Sequence, residues 1–190
     1  MPVMYSLSSW KTFLVEGVRS IVRNNESALG ARLRRRLSGT ACRIDTGVVI
    51  TAPNRFSCGT GCALYHGTYI LNGQGSMEMG NTSHLGAMCY VNVLHGSLKI
   101  GDDVAIGPHT DLIVYSNHYE KGQRVTDCRI QENIHIGNNV FIGAHSMILP
   151  GAHIEDNVVV GAGSVVKGKL EANTIYAGTP VRPVRRGWYE

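Results

Sequence analysis

Large rings and charge are both scarce in this chain. Of 190 residues only three are Phe and two are Trp, and charged side chains make up 17%. A core built on big aromatic side chains is therefore not available. The apolar share of 43% excludes the opposite extreme, a composition too polar to offset the entropy of ordering. No run reaches the 18 or so apolar residues that a membrane-crossing helix needs. The opening MPVMYSLSSWKTFLVEG also lacks the basic-then-apolar order of a secretion signal. Glycine is plentiful at 23 residues, yet no strict G-X-Y period accompanies it, which rules out collagen. Cysteines stand at 42, 58, 62, 89 and 128, an odd number, and CGTGC at 58–62 is neither CxxC nor half of a four-cysteine zinc pattern. Reduced thiols filling tight positions are the expectation.

The net charge of +4 is unevenly spread. Residues 11–43 hold eight Lys or Arg against two Glu, residues 182–190 hold three Arg against one Glu, and the stretch between is net negative. Positive charge at the two ends suits local contact with phosphates or an anionic surface, not a nucleic-acid footprint over the whole domain. Residues 1–43 read as a basic helical start. Trp10, Phe13, Leu14, Val18, Ile21 and Val22 recur at helical spacing, and Leu29, Leu33 and Leu37 alternate with Arg32, Arg34, Arg35 and Arg36. Two roles stay open for it: a cap over the end of a solenoid, or an attachment to an anionic membrane surface.

The middle of the chain repeats. Every sixth residue from Ile130 is aliphatic: Ile136, Ile142, Ile148, Ile154, Val160 and Val166 follow, with glycine next in line at 137, 143 and 161. Upstream, Leu94, Ile100, Ile106 and Leu112 keep the same step, and Met79, Leu85 and Val91 precede them. A period of six fits neither a helix nor a long strand. It predicts a parallel β-solenoid of short strands and regular corners, three hexads to a triangular coil, with each aliphatic residue pointing inward and stacked on its counterpart in the next coil. One segment of the second half breaks this grammar, YSNHYEKGQRVTDCR at 115–129. A polar excursion between well-formed coils is where a scaffold commonly carries its site.

IGDDVAIGP (100–108), IGNNVFIGAHSMILPGAHI (136–154), VVGAGSVVKG (159–168) and AGTPVRPVR (177–185) occur in an order that resembles the hexapeptide-repeat acyltransferases, above all the sugar and polysaccharide O-acetyltransferases. The resemblance implies an all-β, left-handed parallel β-helix over 44–181, with an N-terminal helical segment, the excursion loop 115–129 and a basic tail at 182–190. It supplies the hand, which periodicity cannot. It also implies a homotrimer with active sites between subunits, acetyl-CoA as co-substrate and no metal.

By the same resemblance His118 is the general base that takes the proton of an acceptor hydroxyl, a task suited to imidazole near neutrality. Asn92, in CYVNVL, matches the position that orients the acceptor; Asp111 and Tyr115 are weaker candidates for orienting either His118 or the acceptor. Gly143, Ala144, Gly161 and Ala162 match small positions along the pantetheine arm of the coenzyme. Lys167, Lys169, Arg182 and Arg185 supply charge for its phosphates. Where sugar acetyltransferases often carry Thr-Lys after GAGS and two aliphatics, this chain has Lys167-Gly168, with Lys169 displaced.

The acceptor implied is a sugar hydroxyl, as in a capsule, exopolysaccharide or lipopolysaccharide precursor handled in the cytoplasm or at the inner face of the membrane. Two other readings stand beside it: N-acetylation of an amino or nucleotide sugar, and a non-enzymatic trimeric scaffold. The three-histidine zinc arrangement of β-helical carbonic anhydrases finds no match among His118, His135, His145 and His153.

Overall fold

A computed structural model describes residues 42–189. The helical start expected over 1–43, and its cap or membrane role, lie outside the described residues apart from Cys42 and Arg43.

Short strands wind into a triangular parallel β-solenoid with three faces. The first face stacks Arg43–Ile44, Ala63–Leu64, His84–Leu85, Ala105–Ile106, Phe141–Ile142, Val159–Val160 and Thr174–Ala177, and Arg182–Arg186 closes it in antiparallel pairing. The second stacks Val49–Ile50, Tyr69–Leu71, Tyr90–Asn92, Asp111–Ile113, Met147–Ile148 and Val165–Val166. The third stacks Phe56–Cys58, Ser76–Met79, Ser97–Ile100, Ile134–Ile136, His153–Ile154 and Lys169–Leu170. This all-β architecture is consistent with the left-handed β-helix that the resemblance implies.

Strand residues alternate between core and solvent, so buried apolar residues line up in columns from coil to coil on each face. Leu64, Leu85, Ile106, Ile142 and Val160 stack on the first face; Ile70, Val91, Leu112, Ile148 and Val166 stack on the second; all are fully buried. Cys42, Cys62 and Cys89 fill interior positions, and no disulfide joins any cysteine. At the corners the chain must turn through positive φ. Met88, His109 and His145 adopt it between the first and second faces, at 58°, 56° and 58°; Asn139, Asn157 and Asn173 adopt it between the third and first. Asparagine tolerates this region and links from coil to coil, Asn139 Nδ2 to Asn157 at 2.8 Å and Asn157 Nδ2 to Asn173 at 2.9 Å.

Two inward positions read from the period are corrected. Ile130 lies in an antiparallel pair, Arg129–Gln131 against Tyr115–Asn117, and the core position of that coil is taken by fully packed Ile134 and Ile136. Leu94 sits at a corner, and Leu98 is buried in its place. Both errors have one cause: the corner between the second and third faces holds extra residues. On the first face, Arg43 pairs with Ala63, Ala63 with His84 and His84 with Ala105, steps of 20, 21 and 21 positions; Ala105 pairs with Phe141 across the loop, a step of 36, and Phe141 with Val159 after it, a step of 18.

Candidate active site

The loop leaves the stack after Asp111–Ile113 as the strand Tyr115–Asn117, returns as Arg129–Gln131, and rejoins the third face at Ile134. Its middle is closed by local contacts. Arg124 Nη2 meets Asp127 at 2.7 Å, and the backbone N–H of His118 donates to the Cys128 carbonyl at 3.2 Å. His118 is exposed and stacks on Tyr119 with ring centroids 5.3 Å apart. Beneath it lies an open cavity of about 410 Å³, walled by loop residues including Ser116, Val125 and Ile130, and by Leu149, Pro150 and Lys167 of the two following coils. The cavity brings the imidazole of His118 and the side chain of Lys167 beside the apolar surface of Val125, Ile130, Leu149 and Pro150.

Asn92 does not line this cavity. Its side-chain N–H donates to the Tyr115 carbonyl at 3.0 Å, and its oxygen accepts the Leu94 amide at 3.2 Å. Tyr115 packs edge-on against His95 at 4.8 Å. Asp111 stands half-buried on the outward side of the second face, between Tyr90 and Met147 in register.

The residues expected along the coenzyme separate into three places. Gly143, Ala144, Gly161 and Ala162 all lie at the corner between the first and second faces, where successive coils nearly touch. A Cβ on Gly143 would come within 2.4 Å of the Ala162 nitrogen, and one on Gly161 within 3.0 Å of the Ala177 Cβ. Arg182 pairs with Ala177 and Arg185 with Ile175, so Arg182 joins this corner and both guanidinium groups are exposed. Lys167 is at the opposite edge of the second face, with His118. Lys169 is on the third face, its Nζ 2.7 Å from Glu155 and 3.3 Å from Glu171. Hydrogen bonds to Glu155 first and Glu171 second hold its ammonium above the usual lysine range, and the same contact lowers Glu155. That charge is already answered within the chain. Small positions and Arg182 therefore form one cluster and His118 with Lys167 another, one at each end of the second-face strands Met147–Ile148 and Val165–Val166.

Some features escaped the sequence reading. Leu149 and Pro150 build the cavity floor; the six-step register places them at the corner after Ile148, which is the signal that was there to use. His109 and His145 stack in parallel at 4.9 Å on the corner beside Gly143, a contact that no linear spacing announces because the loop intervenes. Among the described residues no group of three or more His, Cys, Asp or Glu is placed to hold a metal ion, and no helix is long and apolar enough to cross a membrane.

Residues 133–168 match the family model described as bacterial transferase hexapeptide (six repeats). Over 111 residues the chain is 38% identical to the galactoside O-acetyltransferase of Escherichia coli (strain K12), covering 56% of this chain and 55% of that one. It is 27% identical over 136 residues to an Escherichia coli dTDP-4-amino-4,6-dideoxy-D-glucose acyltransferase, covering 57% and 71%. In fold it is similar to AntD, an N-acyltransferase from Bacillus cereus solved with dTDP and 3-hydroxybutyryl-CoA, at a TM-score of 0.73 and 22% identity over 82% of this chain and 87% of that one. The chain spans about half the length of the first curated relatives it matches. With its hexad columns and its parallel three-faced stack, the chain is similar to the hexapeptide-repeat transferases, whose repeat residues 133–168 match.

Proposed function

We propose that this chain is an acetyl-CoA-dependent O-acetyltransferase that acts on a sugar hydroxyl, with His118 as general base. The observation that carries the reading is the position of His118 over a cavity of about 410 Å³ that also holds Lys167. The 38% identity to a galactoside O-acetyltransferase supports it. In this scheme an unprotonated ring nitrogen of His118 accepts the hydroxyl proton as the oxygen attacks the thioester carbon. The tetrahedral adduct then collapses, the carbon–sulfur bond breaks, and the proton held on His118 neutralises the departing thiolate. No acyl-enzyme is required, because the thioester is already activated. Asn92 acts by holding the loop's first strand, and through it the position of His118.

The separation of the small-residue corner with Arg182 from His118 and Lys167 favours a site shared between copies. An extended coenzyme held at one chain's corner would present its thioester to the loop of a neighbour. A homotrimer supplies that geometry by closed rotation. We place the acceptor among saccharide units of capsule, exopolysaccharide or lipopolysaccharide, and the protein in the cytoplasm. A second reading, N-acetylation of an amino sugar, draws support from the identity to the dTDP-amino-sugar acyltransferase.

The test is a mass-spectrometric screen of sugars, nucleotide sugars and oligosaccharides with acetyl-CoA, run with the wild type and His118→Ala. An acetylated product that mild alkali releases, made about 10²–10⁴-fold more slowly by the variant, is expected. An alkali-resistant product moves the chemistry to nitrogen, and an unchanged rate in the variant removes His118 from the mechanism.

A further inference from the structure

The CGTGC motif and the strand that opens the stack bring three sulfurs to one corner. Cys42 opens the first described coil, Cys58 closes it at the end of Phe56–Cys58, and Cys62 opens the next. Arg43 is in register with Ala63, and its amide donates to the Cys62 carbonyl at 2.8 Å. Cys42 and Cys62 are therefore neighbours in one column, and both are buried. Cys58 is in register with the core residue Met79 and packs against the core from the third face while staying half-buried. Its thiol shares hydrogen bonds with the thiols of Cys42 and Cys62.

The two contacts are unequal. Cys62 Sγ donates to the Gly80 carbonyl at 2.8 Å, which draws it toward the next coil. Cys42 Sγ has a looser hold on its own backbone, 3.5 Å to the Arg43 carbonyl. Contact with Cys58 first and burial second push the Cys42 thiol above its ordinary range, so it keeps its proton until a partner reacts. Sulfurs already in hydrogen-bond contact have a short way to travel to the disulfide distance of about 2.0 Å.

We propose that Cys58 is an oxidation site for a peroxide and Cys42 its resolving thiol, their disulfide closing a covalent ring around the first described coil. The Cys58 sulfur attacks one peroxide oxygen, the O–O bond breaks, and a sulfenic acid and one water form. The Cys42 sulfur then attacks the Cys58 sulfur, the S–O bond breaks, and the departing hydroxide takes the Cys42 proton as a second water. The two thiols lose two electrons and the peroxide gains them. The ring ties the strand Arg43–Ile44 to the third face and limits local opening of that end. None of the three cysteines lines the cavity under His118, so the step is separate from acetyl transfer.

The test is peptide mapping of the full chain by mass spectrometry under non-reducing conditions, after reduction and then exposure to hydrogen peroxide. A Cys42–Cys58 link with the loss of two hydrogen atoms is expected, ahead of any change at Cys89 or Cys128, and it forms equally in Cys62→Ala. Cys58→Ala is expected to slow oxidation of Cys42 at least about tenfold, whereas Cys42→Ala leaves Cys58 as a sulfenic acid that dimedone captures. The linked chain melts about 5 °C or more above the reduced one, and dithiothreitol reverses the shift. The wild-type map decides the pairing even where an alanine variant folds poorly. A link between Cys58 and Cys62, earlier oxidation of Cys89 or Cys128, or Cys42 oxidation at an unchanged rate in Cys58→Ala overturns the inference; a linked chain that melts no higher than the reduced one overturns the stabilising ring.

Discussion

The side-chain amide of Asn92 spans 23 positions of sequence to donate to the Tyr115 carbonyl at 3.0 Å. Its oxygen closes on the Leu94 amide two residues ahead. One residue thus fastens a corner of the stack to the first strand of the loop that carries His118.

Removing that fastening is expected to act through the loop. Asn92→Ala loses both bonds and costs about 1 kcal/mol of stability, together with a fall in kcat larger than any change in acceptor KM. Asn92→Asp keeps the acceptor and loses the donor, so it falls between wild type and alanine. Thermal melts and steady-state kinetics on both variants decide the point. A raised KM at unchanged stability shows that Asn92 touches the acceptor instead.

The glycines of the donor corner test differently. Gly143→Ala places a methyl group where the Ala162 nitrogen stands 2.4 Å away, so the coils must part, at about 1–3 kcal/mol or more. A lowered denaturant midpoint is expected before any loss of coenzyme affinity. Full stability with lost affinity means that the small residue serves the ligand alone.

The basic residues rank by how far their charge is already answered. Arg182→Ala with Arg185→Ala is expected to weaken coenzyme A binding more than dephospho-coenzyme A binding, and more at low salt than at high. Lys169→Ala, which removes an ammonium held by Glu155 and Glu171, is expected to do less than Lys167→Ala. Titration calorimetry across two ionic strengths measures all four. A larger loss from Lys169→Ala than from Lys167→Ala reverses the assignment.

Stability should fall on mild acidification. His84 is held below its ordinary value of 6.5 by partial burial. His135 is lowered by loss of solvent around its ring, with His153 and Lys99 adding to the effect and Asp156 opposing it. Between 6.5 and the lowered folded values the unfolded chain binds more protons, so stability rises with pH in that window. Melting temperature is therefore flat above about pH 7, drops as pH passes below 6.5, and levels once the folded rings are charged. His84→Gln with His135→Gln flattens the drop; an unchanged profile assigns the acid sensitivity to other groups.

Much of the stack was legible from its period because β-branched residues at a fixed step have one way to bury together. Ile136, Ile142, Ile148, Ile154, Val160 and Val166 are all fully enclosed as that step requires. Ile130 and Leu94 misled because a period says nothing about where residues have been added, and an aliphatic residue on a loop looks the same as one in a column. The loop itself was visible as a break in pattern, and His118 as its histidine. Invisible was Lys169 as a paired charge, since that depends on Glu155 in another coil. The resemblance brought Asn92 to notice, while its bond to Tyr115 required the fold.

The coil is not equally tolerant at its three corners. Two of them keep their register from coil to coil through asparagine links or a backbone in close contact, and a single added residue there would put every later rung out of step. The third takes three extra residues in some coils and a whole excursion in another, and the columns on either side continue undisturbed. In the described coils the added chain length sits at one edge, and that edge overlooks His118. A designer who wishes to change what the protein accepts has an address at which to insert.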